Sequence, residues 1–280
     1  MRPLILSAAQ PHHHERLERW LSRQERFYAK FSLANLRDWL SEDNCFVLES
    51  GPDLIGFLLH VQISHRVAVI IGLGIGDGWE FDQVVTPLLS ASVRAVHSRG
   101  VAQLSCVSAA EWLITTLQRN RFQISACLAS YLKNDTRVPE WGSLSVRVRP
   151  ATVSDLPTVA EIDDDAFEPT WHEEEAILRL SLHRSGYFIV AEWEGRVVGF
   201  AIGTSRAGHG HINRLAVHPQ FHGRGVGTRL LAESITYLRH AQARYVTLNT
   251  QSDNWASRRL YERFGFQFLN CDAQVLIRQI

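Results

Sequence analysis

The sequence has no excess of either charge, no closely spaced cysteine pair and no long apolar run. Lysine plus arginine and aspartate plus glutamate number 29 each, so the overall charge does not attract nucleic acid or an acidic membrane. The four cysteines are far apart, which favours free thiols in a reducing compartment, the cytoplasm. Without an apolar run of membrane-spanning length, no membrane insertion is expected.

The sequence also lacks the signatures of a metal enzyme and of a P-loop nucleotidase. His12, His13 and His14 are consecutive, and consecutive helical residues point in different directions, so no metal site is predicted there. No Gly-Lys-Ser/Thr occurs, and no acids are placed for Mg²⁺. A phosphate-hydrolysing enzyme is therefore the least favoured class.

A faint internal repeat is present in the 280 residues. VLESGPDLIGF (residues 47–57) and VAEWEGRVVGF (residues 190–200) both read as strand, polar turn and strand. Gly56 and Gly199 lie 143 residues apart, about half the chain, and each is followed by phenylalanine. RFQI and FGFQF, later in the two halves, recur at nearly the same distance. The sequence therefore predicts two copies of one domain.

The boundary between the copies is predicted near Ser143. Pro139 and Gly142 break any regular structure there, and the following SVRVR alternates apolar with basic residues as a first strand would. We therefore expect domains at residues 1–143 and 144–280.

The second half alternates predicted helices and strands. Helices are expected at residues 154–167, 171–182, 228–240 and 254–264, with strands at 209–217 and 245–249. In the third of these helices, an apolar stripe is formed by Leu230, Leu231, Ile235 and Leu238.

The stretch VHPQFHGRGVGTRLL (residues 217–231) places three glycines between a predicted strand and a predicted helix. Such a turn directs free backbone N–H groups and the positive end of the helix dipole to one point. Glycines Gly223, Gly225 and Gly227 allow close approach of a phosphate, and Arg224 adds a charge. The pattern therefore predicts an anion site, with a plain tight turn as the alternative.

Two segments together, INRLAVHPQFHGRGVGTRLL and NTQSDNWASRRLYERFGFQF, resemble the GNAT superfamily of N-acetyltransferases. The family pattern (Arg/Gln)-x-x-Gly-x-(Gly/Ala) falls on residues 222–227, and His222 departs from it at the first position. The resemblance implies a mixed α/β fold of two tandem domains. Each would be a central, mostly antiparallel mixed β-sheet flanked by helices.

The resemblance also implies acetyl-CoA as the co-substrate. In the family, the strand before the glycine turn pairs with the pantetheine arm, the turn's amides wrap the pyrophosphate, and an asparagine after the next strand holds the arm. The residues so implied are Leu215, Ala216 and Val217 on the strand, His222, Gly223, Arg224, Gly225, Val226, Gly227 and Thr228 in the turn, and Asn254.

The resemblance assigns a general acid and leads to a candidate base for direct attack by a primary amine in a ternary complex. Tyr261 would protonate the departing thiolate of CoA. Because histidine can accept a proton near neutral pH, His211, on a strand that also carries His209 and Asn213, is the favoured base, accepting the proton of the amine through water. A structural role for His211, a zinc pair with His209, and a carboxylate base such as Glu192 stay open alternatives.

The amine itself is less well defined. AFEPTWHEEEAI (residues 166–177) resembles the acceptor region of the ribosomal-protein alanine N-acetyltransferases, although Thr170 separates proline from tryptophan and Asn249 replaces a family glutamate. The glutamates at positions 173–175 are interpreted as a solvated helix face. The partner is therefore an amine, either a small molecule or a protein or peptide N-terminus, and a homodimer is an open alternative.

The first half lacks the residues that would hold the cofactor. The segment before its helix carries Asp77, Glu80 and Asp82, which would repel pyrophosphate, and Leu117 or a neighbour replaces the catalytic tyrosine. We therefore expect a degenerate, cofactor-free copy that packs on the second and shapes its acceptor cleft. The alternative for the whole chain is a non-catalytic regulatory module that binds acetyl-CoA.

Overall fold

The structure is a computed structural model. It describes residues 3–9, 13–30, 36–40, 43–168 and 171–280. His12, Pro169 and Thr170, which entered the sequence analysis, lie outside the described residues.

Helices and strands alternate along the first part of the chain. Its elements are β1 (Leu4–Ala8), α1 (His14–Leu21), β2 (Phe27–Ala29), α2 (Leu36–Trp39), β3 (Cys45–Ser50), β4 (Asp53–Gln62), β5 (Val67–Ile75), α3 (Phe81–His97), β6 (Gln103–Ser108), α4 (Glu111–Arg119) and β7 (Gln123–Lys133).

The second part has a similar succession of elements. They are β8 (Val146–Pro150), α5 (Leu156–Ala166), α6 (Glu175–Arg184), β9 (Tyr187–Trp193), β10 (Arg196–Arg206), β11 (His209–Val217), α7 (Val226–His240), β12 (Tyr245–Gln251), α8 (Trp255–Arg263) and β13 (Gln267–Gln279).

The chain forms two compact units that do not coincide with its two halves. Unit 1 contains Met1–Ala126 together with Ala273–Ile280, and unit 2 contains Cys127–Asp272. In unit 1 the strand order is β1-β3-β4-β5-β6-β13, and in unit 2 it is β7-β12-β11-β10-β9-β8. All neighbours in these orders whose registers are described are antiparallel except β5–β6 and β11–β12, which are parallel. The predicted mixed, mostly antiparallel sheets are confirmed.

Each unit receives its last strand from the other half of the sequence. The C-terminal strand β13 pairs with β6 of unit 1, from Gln274 opposite Ser108 to Gln279 opposite Gln103. Strand β7 of the first half pairs with β12 of unit 2, from Lys133 opposite Val246 to Leu128 opposite Gln251. A division near Ser143 therefore separates strands from the sheets that they complete.

The glycines that revealed the repeat have the same structural role in both units. A Cβ on Gly56 would lie 2.2 Å from the Val84 side chain of α3, and one on Gly199 would lie 3.0 Å from the Leu230 side chain of α7. Close packing of a helix on the second strand of each hairpin therefore requires glycine. The predicted duplication of the domain agrees with this shared packing.

Helices cover both faces of the unit 2 sheet. The predicted stripe of α7, formed by Leu230, Leu231, Ile235 and Leu238, is buried against one face. On the other face, α5 and α6 pack against Phe200 through a core that includes Leu156 and Leu178.

Most predicted element bounds agree with the structure, but α6 begins later than expected. It begins at Glu175 rather than at Trp171. The backbone before α6 forms hydrogen bonds with two side chains instead of helical ones. The Trp171 carbonyl accepts from Arg214, and the Glu173 N–H donates to Asp163.

The prediction of four free thiols is wrong for one pair. Cys127 and Cys271 form a disulfide in unit 2, whereas Cys45 and Cys106 are free and buried. The two bonded cysteines are 144 residues apart, and they meet because residues 267–272, the part of β13 that belongs to unit 2, lie beside β7. The expected cytoplasmic location thereby loses the support that it drew from free thiols. Among the described residues, no helix is long and apolar enough to cross a membrane.

Candidate active site

Strands β11 and β12 are paired over only four residues. Their parallel register runs from His209 opposite Tyr245 to Ile212 opposite Leu248, and the described pairing ends there. On its other side, β11 stays paired with β10 up to Val217. Residues 213–217 therefore form an edge of β11 towards β12 that has no described strand partner, which we call the open edge of β11. Unpaired backbone groups of this kind can bind an extended ligand.

A β-bulge lies at the start of the open edge. Ile202 of β10 is opposite Arg214, and the next residue, Gly203, is opposite Ile212, so Asn213 is the extra residue. A bulge changes strand direction and redirects the side chains that follow it. The bulge and the end of the β12 pairing therefore fall at the same point of β11.

The N-terminus of α7 follows the open edge. Gly223 and Gly225 have φ angles of +73° and +79°, a left-handed conformation that favours glycine, and Gly225 is the N-cap. A Cβ on Gly227 would lie 3.7 Å from Val217 and 3.6 Å from Leu260. The first turn of α7, the end of β11 and α8 therefore meet at Gly227, where the helix N–H groups and dipole favour an anion.

Three polar side chains lie around this turn. The His222 ring Nε2 is 2.9 Å from the Val217 carbonyl oxygen. The histidine that replaces the family's arginine or glutamine therefore contacts the end of β11. The Arg224 guanidinium lies 5.3 Å from the Phe221 ring centroid, on aromatic surface. Arg263 of α8, which the sequence analysis missed, donates from Nη2 to the Thr228 hydroxyl at 3.3 Å.

The candidate base lies in the paired part of β11, next to its divergence from β12. The Thr247 hydroxyl is 2.8 Å from Nδ1 of His211 and 2.6 Å from Nε2 of His209. Burial, with a smaller contribution from His209, lowers the pKa of His211 below its ordinary value. His211 is therefore neutral at neutral pH, with one ring nitrogen fixed by Thr247.

Tyr261 lies in the core cluster that also contains Ile212 and Leu248, the last paired residues of β11 and β12. Burial raises the pKa of Tyr261 to about 12, with the Ser257 hydroxyl acting in the opposite direction. The phenol is therefore protonated at neutral pH. Asn254 is the N-cap of α8, where its Oδ1 accepts the Ser257 N–H at 3.1 Å, so its amide nitrogen is the part that can donate to a ligand.

The carboxylate alternative for the base is used in another contact. Glu192 accepts from Arg149 Nε at 2.7 Å, and Arg149 also binds Asp155. This ion pair joins β8 to β9. Because β10 lies between β9 and β11, Glu192 is on a different strand from the open edge and is not adjacent to it. In the described part of the chain, no group of three or more histidine, cysteine, aspartate or glutamate side chains is placed to hold a metal ion.

Comparison with known proteins assigns the fold to a family. The profile of the Acetyltransferase (GNAT) family matches residues 156–266. An uncharacterised N-acetyltransferase of Methanocaldococcus jannaschii is 36% identical over 121 residues, which cover 43% of this chain and 77% of that protein. The chain belongs to the GNAT acetyltransferase family. The resemblance found in the sequence is thereby confirmed, and the protein is a GNAT-type acyltransferase.

Two further relatives bear on the acceptor and on the duplication. A Bacillus subtilis protein named as a ribosomal-protein bS18 alanine N-acetyltransferase is 23% identical over 120 residues, covering 43% of this chain and 80% of that protein. A solved tandem GNAT protein from the clavulanic acid biosynthesis pathway superposes with a TM-score of 0.67 and 13% identity, covering 99% of this chain and 98% of that chain. The latter likeness concerns the fold alone, and it confirms the tandem arrangement.

In unit 1 of this GNAT protein, the edge that corresponds to the open edge of β11 is filled. Pairing of β5 with β6 ends at Val69 opposite Ser105. Strand β2 then pairs with β5, with Tyr28 opposite Leu73, and the Tyr28 hydroxyl donates to the Val107 carbonyl of β6 at 2.8 Å. Ile75 of β5 is opposite Gly56, and Val217 of β11 is opposite the equivalent Gly199, so Ile75 corresponds to Val217. Two residues earlier in each strand, Leu73 therefore corresponds to Leu215.

The acceptor side of unit 2 contains a network that the sequence analysis missed. Directly after the bulge, Arg214 forms a bidentate ion pair with Asp163 of α5, donates to the Trp171 carbonyl, and has its guanidinium 4.0 Å from the Phe167 ring centroid. Arg214 Nη1 is also 3.6 Å from Glu173 Oε1. Arg214 thus connects β11 to the segment between α5 and α6.

The interpretation of the three glutamates as a solvated face is wrong for Glu173. It lies before α6 and faces Arg214, and burial raises its pKa while Arg214 acts in the opposite direction. Glu175 does face solvent, paired with Arg179 one turn away. Sequence spacing alone gave no signal for this difference, because the partner of Glu173 is 41 residues away on another element.

We predict that Asp163→Ala lowers the free energy of unfolding by about 3–5 kcal/mol, because the largely buried Arg214 loses its bidentate carboxylate partner and keeps only the longer contact with Glu173. Asp164 and Asp165 are matched controls, since each is more than half exposed and its ion pair among the described residues is with a histidine. Their alanine variants should change stability by about 1 kcal/mol or less. Chemical denaturation of the three variants tests this, and equal losses would contradict a dominant role for the Arg214 pair.

Proposed function

We propose that unit 2 is an acetyl-CoA-dependent N-acetyltransferase that transfers an acetyl group to a primary amine by direct attack in a ternary complex. The observation that carries the proposal is the open edge of β11 running into the N-terminus of α7. The open edge offers backbone hydrogen-bonding groups to an extended arm, and the N-terminus of α7 offers N–H groups to an anion. The pantetheine arm and the pyrophosphate follow each other in the same order along CoA.

The residues present fit such a ligand. The backbone of Leu215–Val217 would bind the pantetheine arm, with Asn254 donating from its amide. The N–H groups of residues 223–228 would surround the pyrophosphate, because the N–H of His222 already donates to the Pro219 carbonyl at 3.1 Å. Gly227 is the critical position, because its missing side chain leaves room between Val217 and Leu260. Arg263 lies at the same helix end, where its Nη2 donates to the Thr228 hydroxyl and its Nε pairs with Glu140 at 3.1 Å.

Two side chains would supply proton transfers. Tyr261 is protonated at neutral pH and would donate to the thiolate of the departing CoA. His211 is neutral and would accept the proton of the attacking amine through water, with Thr247 fixing the other ring nitrogen. General acid and base catalysis of this kind typically contributes about 10²–10⁴-fold to the rate.

The acceptor is a primary amine, and a small molecule and a protein or peptide N-terminus are both compatible with the site. A free α-amino group has a pKa of about 7.7–8.0, so a neutral histidine is a sufficient base for it. The B. subtilis relative, named as a ribosomal-protein alanine N-acetyltransferase, favours a trial of N-terminal peptides first.

One cofactor site per chain is proposed. In unit 1, β2 pairs with the edge of β5 that corresponds to the open edge of β11. The N-cap of α3 is Glu80, and Asp82 follows in its first turn, where carboxylates would oppose a phosphate. Gly74 of β5 serves packing, since a Cβ there would lie 3.0 Å from Trp20.

Titration calorimetry with acetyl-CoA should give one site per chain. Gly227→Glu should abolish binding, because it places a carboxylate at the anion site while its Cβ still makes ordinary contacts with Val217 and Leu260. Gln118→Glu, which adds the same charge at an exposed position of α4, is the control and should bind normally. Two sites would contradict the closed unit 1, and unchanged binding by Gly227→Glu would contradict the assigned anion site.

Tyr261→Phe should lower kcat by about 10²–10⁴-fold while the acetyl-CoA Kd stays nearly unchanged, because only the proton donor is lost. Steady-state kinetics with calorimetry measures both quantities. Tyr237→Phe, a half-buried tyrosine of α7 that stacks on Tyr187, is the control. Wild-type turnover in Tyr261→Phe would remove the proposed acid, and normal binding without turnover in the wild type would favour the regulatory module.

The pH profile of kcat/KM should show an acidic limb below the ordinary histidine pKa of about 6.5. The base works only when neutral, and because burial lowers the pKa of His211, protonation and loss of activity require a more acidic pH. His211→Gln should lower the rate and remove this limb, whereas His183→Gln, exposed on α6, should retain it. Persistence of the limb in His211→Gln would assign it to another group.

A further inference from the structure

Strand β7 brings a fully buried tyrosine from the first half of the sequence into unit 2. Tyr131 lies opposite Leu248 of β12, one of the last residues paired with β11. Its ring centroid is 5.9 Å from that of Tyr261, and both side chains belong to one core cluster. The proposed acid therefore packs against a residue that is 130 positions earlier in the chain.

The Tyr131 hydroxyl is connected to the start of α8. It accepts a hydrogen bond from Arg258 Nε at 2.8 Å, and Arg258 Nη1 donates to the Ser252 carbonyl at 2.8 Å. The Arg258 guanidinium also lies 4.6 Å from the Trp255 ring centroid. Through one arginine, Tyr131 thus fixes α8 relative to the turn that follows β12.

The end of α8 is also in contact with β7. Lys133 is buried, with its ammonium group 2.7 Å from an Asp135 carboxylate oxygen. A Cβ on Gly265, which has a φ of +82° in the turn after α8, would lie 3.4 Å from Lys133 Nζ. Strand β7 therefore contacts the region of α8 on both sides of Tyr261.

We propose that Tyr131 is a positioning residue for Tyr261, holding α8 so that the phenol stays aimed at the departing sulfur. This inference rests on the proposed function of unit 2. A displacement of about 1 Å at a reacting group can cost about 10²-fold in rate, so the packing behind an acid affects turnover without touching the substrate. The first half of the chain thus contributes to catalysis through β7 although its own cofactor edge is filled.

The test is a double-mutant cycle in the full chain. Tyr131→Leu should lower kcat by about 10²-fold, and Tyr131→Phe, which loses only the Arg258 hydrogen bond, should lower it by roughly tenfold, with acetyl-CoA affinity nearly unchanged in both. In a Tyr261→Phe background, neither change should lower kcat much further, because two residues that act through one group are not additive.

Tyr28→Phe in unit 1 is the matched control, since it removes the hydroxyl of a largely buried tyrosine that bonds to the Val107 and Ile70 carbonyls, and it should leave kcat unchanged. Thermal unfolding verifies that each variant is folded, and Tyr131→Phe decides the question if Tyr131→Leu does not fold. Multiplicative losses in the double mutants, or full turnover in Tyr131→Phe, would overturn the positioning role. Full turnover in Tyr261→Phe would overturn the proposed acid and this inference together, whereas the calorimetric binding test would remain independent of both.

Discussion

The separation of β11 from β12 after Ile212 is the constraint on which the unit 2 site depends. In a closed sheet, the backbone of residues 213–217 would be paired and unable to bind a ligand. The bulge at Asn213 redirects β11 at the same point, and α7 begins where the open edge ends. Pairing below this point keeps His211 and Thr247 in register, so the divergence also determines where the candidate base lies.

The contacts around this opening limit its movement on two sides. Arg214 connects β11 to α5 and to the segment before α6 through a carboxylate with no solvent exposure. Tyr131 and Arg258 connect β7 to α8 and to the turn after β12. A site that depends on unpaired strands needs such contacts, because the missing ladder hydrogen bonds no longer restrain the strands themselves.

The two units show how one architecture can have an open or a filled edge. In both, the parallel strand pair among the described registers ends early. Unit 1 fills the resulting edge with its own strand β2, and Tyr28 bonds to the strand on the far side. The same opening is thus proposed to bind a ligand in unit 2, whereas in unit 1 it is used for local chain packing, where a Cβ on Gly74 of β5 would lie 3.0 Å from Trp20 and 3.1 Å from Phe57.

The family, the duplication and the local framework of the site could be predicted from the amino-acid sequence. The glycine turn, β11 and the apolar stripe of α7 were predictable because each depends on residues close together in the chain, through φ requirements and helical or strand periodicity. Four features required the folded chain: the exchange of β7 and β13, the Cys127–Cys271 bond, the partial burial of Glu173 beside Arg214, and the closure of unit 1 by β2. These features join residues up to 144 positions apart, and periodicity carries no information about which distant strand, thiol or charge will be the neighbour.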